Sequence, residues 1–245
     1  YIDGFVLSNA ADTEHDITVA AGVATDSTNA DSMVLASAIT KRIDAGWAVG
    51  DANGGLDTGA VGNATWYHVW LIKRSDTGVV DALFSTSVSA PTMPANYDYK
   101  RRIGSVLTDG SANIIGFTQM GDQFLWNVVS QDVNASSIGS AAGTLFTIST
   151  PLGVQTYPLI STHCSKYSAS PALYVSSPDV TDDAVGVHNN MGSPAAASAN
   201  TRSFLILGNP CRTNTSSQIR ARSDTTSVLF TCKTAGWVDP RGKDA

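Results

Sequence analysis

With 245 residues, the chain is long enough for one large β domain or two of ordinary size, and either could bury a core without staples. Charged residues make up only 15% of it and the formal net charge is −6, which argues against the clustered cation surface that general nucleic-acid binding draws on. No apolar run approaches the roughly 18 residues of a membrane span. Cys164, Cys211 and Cys232 are too few and too scattered for a disulfide framework, and they fit reduced thiols in a protein made in a cytoplasm.

Two apolar segments, Tyr1 to Leu7 and Ile17 to Val23, flank a polar turn from Ser8 to Asp16, and Ile17 and Val19 alternate with Thr18 and Ala20 in the period of a strand. Thr25 to Asp31 reads as a polar loop. Met33 to Ile43 fits two periods, because Leu35, Ile39 and Ile43 lie at helical i, i+4 spacing and also share a strand face. The β character of its neighbours favours a strand, one half exposed so that Ser37 and Lys41 stay wet. Ala45 to Gly62 is too glycine-rich for a helix and reads as a loop with Trp47 near its start.

From Trp66 to Gln119 the pattern is strongest, and it predicts two β-hairpins in series. Trp66 to Lys73 is rich in aromatic and β-branched residues, as suits a strand buried on most of both faces. Ser75-Asp76-Thr77-Gly78 turns the chain into a return strand, Val79 to Ser85. A loop bounded by Pro91 and Pro94 leaves the sheet, since neither proline can donate to a ladder. Tyr97 to Leu107 re-enters it, Thr108-Asp109-Gly110-Ser111 turns again, and Asn113 to Gln119 follows as a strand.

The strings WYHVWLIKRSDTG (66–78) and FSTSVSAPTMPANYDYKRRIGSVLTDGSANIIGFTQ (84–119) resemble a segment that recurs in virion proteins of tailed bacteriophages and prophages, often tail-fibre-like. The resemblance reaches back to Gly4-Phe5-Val6-Leu7-Ser8-Asn9 and forward to Gly236-Trp237-Val238-Asp239-Pro240-Arg241-Gly242. It implies a non-enzymatic structural component of a phage particle, made in a bacterial cytoplasm: a tail fibre or receptor-binding module that touches the host surface. A capsid-associated decoration or head-fibre protein is the alternative, and a glycan-degrading tailspike enzyme a third. By analogy with phage fibres it implies a homotrimer whose partners are itself, other virion proteins and a host surface glycan or protein. Nucleic acid and membrane insertion are not expected.

Beyond Gly121-Asp122, the expected boundary between residues 1–120 and 121–245, the strands become shorter. They are Phe124 to Val129, Leu145 to Ile148, Val154 to Ile160, Ala172 to Val175, Ser203 to Leu207, Ser217 to Ala221 and Ser227 to Thr231. Gln131 to Gly143 reads as a Ser/Ala/Gly loop, and Ser176 to Thr201 as a long irregular one. Such spacing predicts an all-β chain of two modules, of antiparallel sandwich or jelly-roll type. The end, from Thr234, is polar, with Trp237 expected to pack on the second core.

Chemistry-bearing residues are scattered. His15, His68, His163 and His188 are not at metal-ligand spacing, and His68 is expected as a hydrogen-bonded core histidine. His163 and Cys164 are adjacent, so a strand points them to opposite faces. Asp51 to Asp57 begins like a calcium loop, but Leu56 and Gly62 stand where the glycine and the final acid belong. Asp179, Asp182 and Asp183 could supply a glycosidase pair but read as a solvated turn. Neither a cofactor nor a metal is expected. Short cation runs, Lys73-Arg74 and Lys100-Arg101-Arg102, suit strand-edge protection. The residues whose types suit a contact with sugar or protein are Tyr97, Tyr99, Lys100 and Arg101.

Overall fold

A computed structural model of the chain describes residues 1–165, 171–185, 202–205 and 211–243. Among these residues the protein is all-β, with eighteen strands and no helix; no helix is therefore long and apolar enough to cross a membrane, which says nothing of β-barrels. Two compact units divide it: Tyr1–Asn127 joined by the residues from Asp239 on, and Val128–Val238.

In the first unit, β1 (Ile2–Gly4), β2 (Leu7–Asn9), β3 (Asp16–Val19), β4 (Gly22–Thr25) and β5 (Ser32–Leu35) are short, and β6 (Ile39–Gly46) is longer. Where one apolar segment suggests one strand, the chain makes two: Gly4 and Phe5 adopt φ of 79° and 52° and turn β1 out of line with β2. Next come β7 (Asn53–Leu56), β8 (Trp66–Arg74), β9 (Val80–Ser85), β10 (Tyr97–Leu107) and β11 (Phe117–Met120). One sheet has the order β1-β4-β5 and a seven-stranded sheet has the order β10-β8-β9-β7-β6-β3-β2. Strand β8 is buried from Tyr67 to Ile72, as its unbroken apolar run requires. On one face Val69 and Leu71 are buried, and Leu7, Ile17, Val19 and Phe124 of the same unit are fully so. On the other, Trp70, Ile72, Leu83 and Tyr97 form a smaller cluster against which Trp47 and Met93 pack.

Strand β7 corrects the reading of 45–62 as loop. It runs parallel to β6 and to β9, so the sheet is mixed rather than purely antiparallel. Glycine is what permits this: a Cβ on Gly54 would stand 2.1 Å from the Gly46 carbonyl oxygen. Lys41 is likewise not on a half-exposed edge. It is fully buried and paired to Asp81 at 3.2 Å.

Strand β12 (Gln123–Ile138) begins in the first unit, where it pairs with β11. The expected boundary at Gly121-Asp122 is thus the tip of a hairpin, with Gly121 at φ 60°. The first unit extends to Asn127 because Trp126 belongs to its aromatic interior, 5.8 Å from Trp66 between ring centroids.

The second unit contains the rest of β12 with β13 (Thr144–Thr147), β14 (Tyr157–Ser165), β15 (Leu173–Ser176), β16 (Arg202–Leu205), β17 (Gln218–Ser223) and β18 (Val228–Val238). Its strands are ordered β12-β18-β14-β16 and β13-β17-β15. Both sheets feed one apolar core, including Val133, Ile160, Leu173, Ile219, Phe230 and Cys232. The loop expected over 131–143 is strand as far as Ile138, because Val133 and Ile138 enter that core and Asp132 accepts bonds from Ser149 and Thr234. Trp237 is fully buried at the end of β18. Of the expected long loop, 186–201 lies outside the described residues, as do His188 and the last two residues of the expected strand Ser203 to Leu207.

Residues 239–243, after β18, are no polar tail. Asp239 is fully buried against Arg102, and the Arg241 guanidinium donates to the Ile103, Gly4 and Phe5 carbonyls at 2.9, 2.9 and 2.8 Å. Burial alone would push the Asp239 carboxyl up; the Arg102 guanidinium, with the bond from the Arg241 amide, holds it below the usual carboxylate value. Arg101 and Arg102 are therefore interior anchors, not the solvated strand edge that a short cation run suggests.

Candidate functional site

The glycine-rich segment after β6 and the proline-bounded loop after β9 meet at a cleft of about 370 Å³. Gly46, Trp47, Leu56, Asp57, Thr58, Gly59, Thr92, Met93 and Pro94 line it. Its geometry follows from the parallel strand: Leu56 stands beside Phe84, the Trp47 amide donates to the Leu56 carbonyl at 2.8 Å, and the Asp57 amide to the Phe84 carbonyl at 2.9 Å. These bonds bring residues 47 and 57 to one rim.

Trp47 is held from several sides. Its indole Nε1 donates to the Ala82 carbonyl at 3.1 Å, and the Tyr97 ring meets it edge-on at 5.2 Å between centroids. Lys41 Nζ lies 5.5 Å from the indole centre. That ammonium also donates to the Ala48 and Gly50 carbonyls at 2.6 and 3.1 Å, while Asp81 accepts from the Gly50 amide at 2.8 Å. Burial pulls the Lys41 pKa down, and Asp81 opposes the shift. Across the cleft, the Thr92 amide donates to Asp57 Oδ2 at 2.9 Å, tying the proline loop to the wall. The result is a half-buried indole facing one carboxylate and two exposed threonines.

The four residues singled out for contact divide. Tyr97 is buried under Trp47 with Arg74 5.9 Å from its ring centre. Arg101 is buried, and its guanidinium donates to the Thr25 and Gly242 carbonyls at 3.1 and 2.9 Å. Tyr99 and Lys100 are half-buried, the first under Lys73 at 5.8 Å and the second 5.7 Å from the centre of the Trp70 ring. The structure does not gather the four into one surface. Sequence reasoning placed Trp47 only as a loop residue, weighed Asp57 only within the calcium-like stretch and passed over Thr58 and Thr92, although a tryptophan inside a glycine-rich segment was the available signal.

The remaining candidates have structural employment. His68 is buried with Nδ1 3.0 Å from Ser105 Oγ. In the calcium-like stretch, Asp51 accepts from the Thr40 amide at 2.7 Å and Asn53 donates to the Val49 carbonyl at 2.7 Å. Among the described residues no group of three or more His, Cys, Asp or Glu could hold a metal ion. Asp179 pairs with Arg212 at 2.5 Å; Asp182 accepts from the Gly143 amide at 2.8 Å and lies 3.4 Å from Arg222. Hydrogen bonds from Arg212 to the first and from Gly143 to the second lower both carboxyls, the reverse of what a glycosidase acid needs. Burial pushes the thiols up, Cys164 and Cys211 to about 11 and Cys232 to about 12, leaving them almost wholly protonated near neutrality.

No family model, curated protein or solved structure matches the chain.

Proposed function

We propose that the chain is a non-enzymatic structural module of a tailed-phage virion, of the tail-fibre or receptor-binding kind, which acts by holding a surface. The carrying observation is the convergence of the stretches that resemble phage virion proteins. Residues 4–9, the hairpins from 66 to 119 and the segment from Gly236 to Gly242, of which 239–242 belong to the first unit, lie far apart in sequence. In the first unit they share one buried network: Arg102 with Asp239, Arg101 with the Gly242 carbonyl, and Arg241 with the carbonyls of Gly4 and Phe5. Each of the resembling stretches thus contributes residues to a common interior, which is what a shared module would produce. The engaged carboxylates and protonated thiols support binding over turnover.

In this reading the second unit is an antiparallel β-sandwich of jelly-roll type, and three copies of the chain assemble with other virion proteins. Light scattering of the purified chain should give three times the monomer mass; a lone monomer at micromolar concentration would remove the trimer. Gold-labelled antibody on purified particles tests the placement. Label at the tail tip is the expected outcome, label on the head would favour a decoration protein, and unlabelled particles would overturn the virion reading.

A further inference from the structure

We propose that the Trp47 cleft is a binding site for a single neutral sugar ring, a hexose or an N-acetylhexosamine. The inference rests on the reading of the chain as a surface-holding module and names what that surface offers. A pyranose has an apolar C–H face and a rim of hydroxyls. The lining is divided the same way: Trp47, Leu56 and Met93 are apolar, while Asp57, Thr58 and Thr92 bring a carboxylate and two hydroxyls. The negative face of an indole attracts polarised C–H groups, and an ionised carboxylate is among the strongest acceptors for a hydroxyl donor.

Size and charge narrow the ligand. A cleft of about 370 Å³ lies near the small end of the roughly 300–1,000 Å³ usual for ligand sites, room for one ring rather than a chain of them. The lining includes a carboxylate and no cation, which disfavours sialic and uronic acids. The walls are fixed before any ligand arrives, Trp47 by Ala82 and Tyr97 and Asp57 by Thr92, so little side-chain freedom is lost on binding.

The test is saturation-transfer NMR on the full chain with the methyl glycosides of glucose, galactose, mannose, N-acetylglucosamine and N-acetylgalactosamine at millimolar concentration, followed by titration. At least one should be saturated, most strongly at its ring C–H protons. Trp47→Ala and Asp57→Asn should each weaken it about tenfold or more, while Trp66→Phe leaves it unchanged. Asp57→Asn keeps an acceptor for the Thr92 amide and decides the matter should Trp47→Ala fail to fold. A panel in which no glycoside is saturated, or binding that survives Asp57→Asn undiminished, overturns the proposal. Labelled virions with no sugar binding would remove the cleft alone; sugar binding by a chain absent from particles would remove the virion reading and leave the cleft.

Discussion

The two units bury different kinds of polar group. In the first, ion pairs lie in the interior: Lys41 with Asp81 at 1% and 2% side-chain exposure, Arg102 with Asp239 at 6% and 0%. In the second, Arg212 with Asp179 sits at the rim at 46% and 28% and Arg222 with Asp182 is partly exposed at 10% and 30%, while the interior holds thiols and hydroxyls such as the Thr156–Thr213 pair at 3.2 Å. The strands explain the contrast. The first unit breaks its sheets with positive-φ residues and a parallel insertion, which leaves carbonyls at Gly4, Phe5, Ala48 and Gly50 without ladder partners, and long cationic side chains reach in to satisfy them. The second also sets arginine on loop carbonyls, Arg222 on those of Ser140, Ala141 and Asp182, but the apolar core between its sheets is lined by hydrocarbon and thiol side chains.

The molecule offers separate reporters for that contrast. Four of five tryptophans, Trp47, Trp66, Trp70 and Trp126, lie in the first unit, and all three cysteines lie in the second. The largest expected effect is from Asp239→Ala, which strands Arg102 in the interior and should cost about 3–5 kcal/mol. Urea unfolding followed by tryptophan fluorescence would measure it. Replacing both partners with apolar residues, Asp239→Leu with Arg102→Met, should recover much of the loss. If the single substitution costs under about 1 kcal/mol, the network is ornament and the comparison fails. Phe230→Ala is the counterpart in the second unit, where a lost ring and the cavity it leaves should also cost about 3–5 kcal/mol. That loss should appear in thiol accessibility more than in tryptophan emission.

How far the sequence disclosed this depends on how local the deciding contact is. Tyr97 to Leu107 was legible to the residue, because alternation, a preceding proline loop and a following Asp-Gly turn all lie within its own neighbourhood. Strand β7 was not, since glycine content argues for a loop unless the close approach of Gly54 to Gly46 is known. Nor was the far half of β12, where Asp132 finds Ser149 and Thr234. The burial of Arg102 depends on a carboxylate 137 residues away, and no local pattern distinguishes it from a strand-edge cation. The cleft failed to show for the same reason: its two loops were visible one by one, but the parallel pairing of Leu56 with Phe84 that joins them was not.

A smaller effect should come from acid. The Asp239 carboxyl is held below its usual value in the folded chain, so its contribution is fully present above the unfolded carboxylate pKa of about 3.9. It is lost as pH falls from there through the folded pKa. The urea midpoint seen by tryptophan should therefore be flat above about pH 5 and decline below about pH 4. The Asp239→Asn chain should decline less. An equal decline in both would assign the acid sensitivity to other carboxylates.

The smallest change to the protein, and the sharpest for the second unit, is chemical labelling of its thiols. Burial raises Cys164 and Cys211 to about 11 and Cys232 to about 12, and all three lie at 5% exposure or less. At pH 8 the thiolate is a minute fraction, and a disulfide reagent cannot reach it in the closed state. Labelling must then wait for the unit to open, so its rate under mild conditions follows the stability of the second unit alone. Native protein should react on the time scale of opening and release three equivalents of thiol only in denaturant. Phe230→Ala should accelerate the reaction, whereas Asp239→Ala, which loosens the unit without cysteines, should leave it near the native rate. If Asp239→Ala speeds labelling as much as Phe230→Ala does, the units unfold together, and the ions of one interior stabilise the thiols of the other.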